Sequence, residues 1–146
     1  MSGFSHILVP LDGTQTSELA LGAAEEAAAH HGHITLLKVI DMVGSHYIPD
    51  EDDRAQIRDQ QFGPANEYLE QMKKRMRRTD LVVDTVIASG PPADAILEVA
   101  AEKKASAISL CTHTEAKLRQ FLLGSVSQRV MKNSPVPVIM VHPPRD

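Results

Sequence analysis

The sequence predicts an α/β fold: an open, mostly parallel sheet of five strands with four helices on its two faces. Three observations predict it. Strand-like and helix-like patterns alternate along the chain, and that alternation calls for parallel strands joined by crossover helices. No Gly/Ser linker, internal repeat or low-complexity stretch divides the 146 residues, so residues 1–146 read as one domain. The apolar content is 42% but only 3% of residues are aromatic, so the core is built from Ala, Val, Ile and Leu. Such cores suit parallel strands buried under Ala-rich helices.

Each element follows from a local pattern. Ile7-Leu8-Val9-Pro10-Leu11 is a short apolar run closed by Asp12-Gly13-Thr14, a buried strand entering a turn. Residues 17–31 read as a helix, Ala-rich with Glu18, Glu25 and Glu26 towards solvent, and Gly32 stands as its C-terminal stop. Residues 33–40 are the second strand and 41–53 a polar loop. Residues 54–61 have helical composition, and Gly63-Pro64 either interrupts that helix or starts another, since Pro suits the first helical position. Residues 65–78 are a helix with Leu69, Met72 and Met76 on one face. Then come a strand over 81–88, a helix over 93–104 and a strand over 107–112. A mixed segment (113–123), a short helix (125–133) and a last strand (136–141) complete the chain.

Composition excludes several function classes. The net charge of −4 opposes a general nucleic-acid binder, whose affinity rests on Lys and Arg contacts to phosphate. The one basic run, Lys73-Lys74-Arg75-Met76-Arg77-Arg78, reads as a solvated helix end, where cations favour the negative pole of the dipole. Asp50-Glu51-Asp52-Asp53 largely balances it. Cys111 stands alone, so no intramolecular disulfide forms. The first residues lack the basic and apolar regions of a signal peptide, and no segment has the ~20 apolar residues of a membrane span. A cytoplasmic protein without membrane partners is expected.

In folds of this kind ligands sit beyond the carboxyl ends of strands, where the strand order reverses. The candidate segments are therefore Asp12-Gly13-Thr14 and residues 111–125. No GxGxxG fingerprint, Walker A loop or GxSxG elbow is present. What stands there instead is Gly124-Ser125-Val126-Ser127-Gln128. Ser125 with Gln128 fits a capping box, and a glycine and hydroxyl opening a helix also suit an anion. On spacing alone the cap is the plainer reading.

The opening His6-Ile7-Leu8-Val9-Pro10-Leu11-Asp12-Gly13-Thr14, the strand Leu36-Leu37-Lys38-Val39-Ile40-Asp41 and the block from Phe121 to Val130, followed by Ser134-Pro135-Val136-Pro137-Val138, together resemble the universal stress protein family across essentially the whole chain. The resemblance implies a Rossmann-like, adenine-nucleotide-hydrolase-like sheet in which the first strand neighbours the fourth. It also implies a homodimer formed through the last strand (Val138, Ile139, Met140, Val141), which would cover an aggregation-prone edge. In ATP-binding members an Asp after the first strand reaches the nucleoside, here Asp12 beside Pro10, and a backbone position of the second strand faces the base, here Val39. A loop of form G-x2-G-x9-G-[ST] cradles the phosphates, which maps onto Thr112, His113, Gly124, Ser125 and Val126.

That loop departs from the family pattern, because Cys111 and Thr114 stand where its first two glycines would be. Glycine permits positive φ and close approach to phosphate, whereas β-branched Thr resists both. Three readings stay open. One is a stress-response or signalling module that binds ATP or AMP, with Mg²⁺ only alongside nucleotide. Another is a nucleotide-independent module reading an unknown protein partner. The weakest is a slow ATPase, since no catalytic base stands out. His30, His31 and His33 resemble a metal cluster, but two of them are expected to end a helix and no carboxylate or Cys completes a site at ligand spacing. A Ser125–His113–Asp12 triad is rejected for want of a nucleophile elbow. Cys111 reads as an inert small apolar residue. No metal site and no catalytic residue are expected.

Overall fold

The computed structural model describes residues 3–40, 51–111 and 125–143. In chain order these hold β1 (Phe4–Leu11), α1 (Gln15–Ala27), β2 (Ala28–Ile40), α2 (Glu51–Arg75), β3 (Val82–Ser89), α3 (Pro92–Glu102), β4 (Ala107–Cys111), α4 (Ser125–Asn133) and β5 (Val138–Val141). The strands form one parallel sheet in the order β3-β2-β1-β4-β5, so the predicted α/β class and the adjacency of β1 and β4 are both observed.

Alternation along β1 explains the two-sided core. Ile7, Val9 and Leu11 face α1 and α2, where Ala20, Leu21, Ala24, Leu69 and Met72 cover them. Leu8 faces the other way and joins Leu37, Ile96, Val99 and Val130 under α3 and α4. Successive side chains of a strand point to opposite faces, so a run apolar at every position is buried on both.

Two boundaries differ from expectation. The first helix ends at Ala27, not at residue 31, and Ala28-Ala29-His30-His31-Gly32 already belong to β2. Ala28 pairs with Phe4 and His33 with His6, so extra residues bulge out of β2 between the two pairs. His30 and His31 therefore do not end a helix. Tertiary contacts account for the change. The Arg78 guanidinium donates to the carbonyls of Glu25, Ala28 and Ala29, and the His31 N–H donates to Asp80 Oδ2. Gly32 is no helix stop either: a Cβ there would lie 2.9 Å from the Ala29 carbonyl oxygen, so glycine permits a close approach of backbone to backbone.

The second difference is α2, one helix from Glu51 with Pro64 inside it, where a break at Gly63-Pro64 or a fresh start was expected. Proline costs an interior helix one hydrogen bond. Here the buried positions Ala65, Leu69 and Met72 on its far side hold the helix to the sheet. Residues 51–53 thus belong to a helix, and residues 41–50 of the expected polar loop lie outside the described residues. Smaller shifts of up to three residues affect the start of β1 and α1, the end of α2, and the ends of β3, α3 and β5, close to what frayed ends allow. In the basic run, Arg75 pairs with Glu18 and Arg78 with Asp80, so both cations are engaged internally.

Candidate functional site

The chain runs β1 to β3 outward on one side of β1 and then crosses back to β4 on the other. The order reverses between β1 and β4, which opens a crevice at their carboxyl ends. A cavity of about 250 Å³ lies there, and it gathers Pro10, Asp12, Val39, Cys111, Ser125 and Val126. Six residues that the family resemblance singled out thus line one cleft. Leu11, Ser17, Pro92, Ile96, Leu110 and Ser127 complete its lining. Thr112, His113, Thr114 and Gly124 lie outside the described residues. Val138, Ile139, Met140 and Val141, the residues expected to pair in a dimer, stand apart, half-buried on one of the two outermost strands.

The turn after β1 is built around Asp12. Gly13 has φ +91°, a left-handed conformation that L side chains rarely adopt, and it turns the chain into α1. Thr14 is the N-cap of α1, and its Oγ1 accepts from the Ser17 N–H. The same hydroxyl donates to Asp12 Oδ1, as does the Thr14 N–H. The Asp12 N–H in turn donates to Ser17 Oγ. The carboxylate is therefore held in position while its residue stays exposed at the mouth of the cleft.

Val39 sits where the β1–β2 ladder has just ended, since the last register pair is Leu11 with Lys38. Its main chain therefore continues past β1 at the cleft wall. Ser125 opens α4 and is exposed, placing the positive end of that helix over the cleft. Cys111 closes β4 and is buried. Burial, with the Asp12 charge adding to it, pushes its thiol up to about 11. A buried thiol held above its usual value is a poor nucleophile at neutral pH.

Beside the turn, Tyr68 of α2 donates its hydroxyl to Glu18 Oε2 at 2.9 Å, and Arg75 reaches Glu18 Oε1 at 3.1 Å. These contacts pin α2 to the first turn of α1.

A second polar cluster escaped the sequence reading. It lies at the opposite, amino edge of the sheet on the α3 side. His6, Thr35, His33 and Asp84 come from β1, β2 and β3, and Lys103 reaches in from the end of α3. His33 is thus parted from His30 and His31, which are exposed, and paired with a carboxylate 51 residues away. A usable signal was present: polar residues of one alternation parity at the start of otherwise apolar strands. Burial opposes ionisation of Asp84, but hydrogen bonds from Lys103, Thr35 and His33 outweigh it and hold the carboxyl at about 2. Burial, together with the neighbouring His33, lowers His6 below the usual histidine value.

A parallel sheet flanked by helices, with a crevice at its switch point, defines a Rossmann-like α/β protein. The model of the universal stress protein family matches residues 3–142, and the chain belongs to that family. It is 31% identical to the universal stress protein MJ0531 of Methanocaldococcus jannaschii, over 97% of this chain and 84% of that one. It is also 31% identical to the universal stress protein YxiE of Bacillus subtilis, over 95% of this chain and 99% of that one. Among solved structures, MJ0577 of Methanocaldococcus jannaschii superposes with a TM-score of 0.84 at 26% identity, covering 97% of this chain and 98% of that one. Among the described residues, no helix is long and apolar enough to cross a membrane.

Proposed function

We propose that this protein is a dimeric signalling module of the stress response that holds an adenine nucleotide, ATP or AMP, in the β1/β4 cleft and is not itself a catalyst. The observation that carries this reading is the convergence of Asp12, Val39 and Ser125 on one cavity at the switch point of the sheet. A fixed carboxylate at the mouth suits ribose hydroxyls, a main-chain segment suits the edge of a base, and a helix N-terminus suits phosphate.

The cavity is somewhat smaller than the ~300 Å³ at which ligand pockets usually begin, so affinity is concentrated in the nucleoside rather than the phosphate chain. Cys111 in place of a glycine works in the same direction. Mg²⁺ accompanies the phosphates and has no separate role in the cleft. Asp12 is the one carboxylate among the described cleft residues and Cys111 stays protonated, which supports a binding role over a hydrolytic one. The proposed setting is the cytoplasm, since a chain with one cysteine gains no intramolecular disulfide from an oxidising compartment. The homodimer forms through β5, one of the two edge strands.

Calorimetric titration of nucleotide-free protein tests the reading. AMP and Mg·ATP are expected to bind within about tenfold of each other, with Asp12→Ala removing both. Absence of heat with either nucleotide would favour the nucleotide-independent module that reads a protein partner, a reading that the Cys111 and Thr114 replacements support. Steady Mg-dependent release of ADP, lost in Asp12→Ala, would instead revive the slow ATPase.

A further inference from the structure

The amino edge of the sheet lies six residues along β1 from Asp12, about 20 Å from the cleft at the usual rise of a strand. There the imidazoles of His6 and His33 stack face to face, with centroids 3.9 Å apart and planes 5° from parallel. His33 Nε2 lies 2.7 Å from Asp84 Oδ1, and His6 Nε2 lies 2.7 Å from Thr35 Oγ1. Thr35 gives its only hydroxyl proton to Asp84 Oδ1 at 2.6 Å. His6 must then donate to Thr35, and His33 to the ionised Asp84. Both histidine donors are therefore directed at one carboxylate and its hydroxyl partner.

Ligand atoms of His6, His33 and Asp84 all fall within 4.8 Å of one another. A tetrahedral ion with Zn–N and Zn–O distances near 2.1 Å holds its donors roughly 3.3 Å apart. Binding would require the partly exposed imidazoles to rotate out of their near-parallel stack so that their ring lone pairs meet at one point. Neutral imidazoles are what a metal requires, and a change of tautomer frees each Nε2. The outer partners are also in place: Lys103 Nζ bonds Asp84 Oδ2 at 2.7 Å and the Thr35 hydroxyl bonds Oδ1 at 2.6 Å, so an ion takes the place on Oδ1 that the His33 hydrogen bond holds. Two nitrogens and one carboxylate suit a borderline transition metal, not Mg²⁺ or Ca²⁺.

We propose that His6, His33 and Asp84 form a site for one divalent transition-metal ion of the zinc class, with a water as fourth ligand. The ion would tie together β1, β2 and β3 at the edge remote from the nucleotide cleft. The Lys103 ammonium, shared with the same carboxylate, tempers its affinity.

The test is titration of untagged, chelator-stripped protein with Co²⁺, followed by visible absorption, then displacement with Zn²⁺. The expected result is one ion per chain, with the bands of a four-coordinate site bleached by Zn²⁺. His6→Ala and His33→Ala should each weaken binding at least tenfold, while His30→Ala/His31→Ala should leave it unchanged. Lys103→Met should tighten binding severalfold, a gain that a purely structural hydrogen-bond cluster does not predict. Should the histidine variants fail to fold, the wild-type cobalt spectrum and the Lys103→Met affinity decide. No stoichiometric cobalt band in the wild type, or binding that survives in His6→Ala/His33→Ala, would overturn the site.

Discussion

Thr14 Oγ1 donates a 2.6 Å hydrogen bond to Asp12 Oδ1 while accepting one of 3.1 Å from the Ser17 N–H. One hydroxyl thus caps α1 and fixes the carboxylate at the mouth of the cleft, coupling the stability of the helix to the geometry of the site. Thr14→Ala removes both bonds. The expected cost is about 1 kcal/mol for a lost cap, or roughly 2–4 °C in the melting temperature of a chain this size. Nucleotide affinity should fall with it, and Thr14→Ser should restore both. Thermal unfolding and calorimetric titration on the same three proteins check this.

Two glycines, Gly22 and Gly32, should respond in opposite directions to alanine. Gly22 lies in the interior of α1, and a Cβ there meets nothing within 4 Å. Gly22→Ala should stabilise the protein by up to about 1 kcal/mol through helix propensity. At Gly32 the new Cβ would meet the Ala29 carbonyl at 2.9 Å, so Gly32→Ala should destabilise. Chemical denaturation of the two variants beside the wild type reads both signs.

Asp80 supports the crossing from α1 to β2. Hydrogen bonds from Arg78, and then from the His31 N–H, hold its carboxyl well below the usual carboxylate range. A carboxylate whose pKa is depressed on folding contributes stability above its unfolded value, near 3.9, and loses it as pH falls towards the folded value. The pair is partly exposed, so salt should weaken the effect. The gap in melting temperature between wild type and Asp80→Asn should therefore be open at pH 6, narrow below about pH 4, and shrink in high salt.

The edge strand β5 carries the proposed dimer. Val138, Ile139, Met140 and Val141 are all half-buried in the single chain, and a second copy paired along β5 would cover them. Val141→Lys, at the end of the strand, should shift sedimentation from twice the mass of one chain towards a single chain. Its monomer should still unfold cooperatively; a wild type that sediments as a monomer at high concentration would contradict the assignment.

Most of the sheet was legible because β1 and β4 are apolar at nearly every position and each helix shows one apolar face. Asp12, Cys111 and Ser125 were legible because the strand-end segments and the resemblance both point to them, whereas Val39 rested on the resemblance alone. The end of α1 was not. Ala28 and Ala29 have good helix propensity, and what recruits them to β2 is Arg78, some 50 residues away. Local composition carries no trace of such a partner. Gly32 and Pro64 were marked as punctuation, yet one serves a close backbone approach and the other rides within a helix anchored by the core. The His6–His33–Asp84 cluster stayed hidden because parallel strands bring together residues 27 and 51 positions apart only once their register is known.

The most direct test of the central claim is thermal unfolding of nucleotide-free protein with and without millimolar AMP, ADP and ATP plus Mg²⁺. A ligand bound only to the folded state at ~100 times its dissociation constant adds about 2.7 kcal/mol, a rise of several degrees. The account predicts that rise in the wild type and its loss in Asp12→Ala. An unchanged melting temperature, in protein shown to carry no nucleotide at the start, would contradict it and leave the cleft to a protein partner.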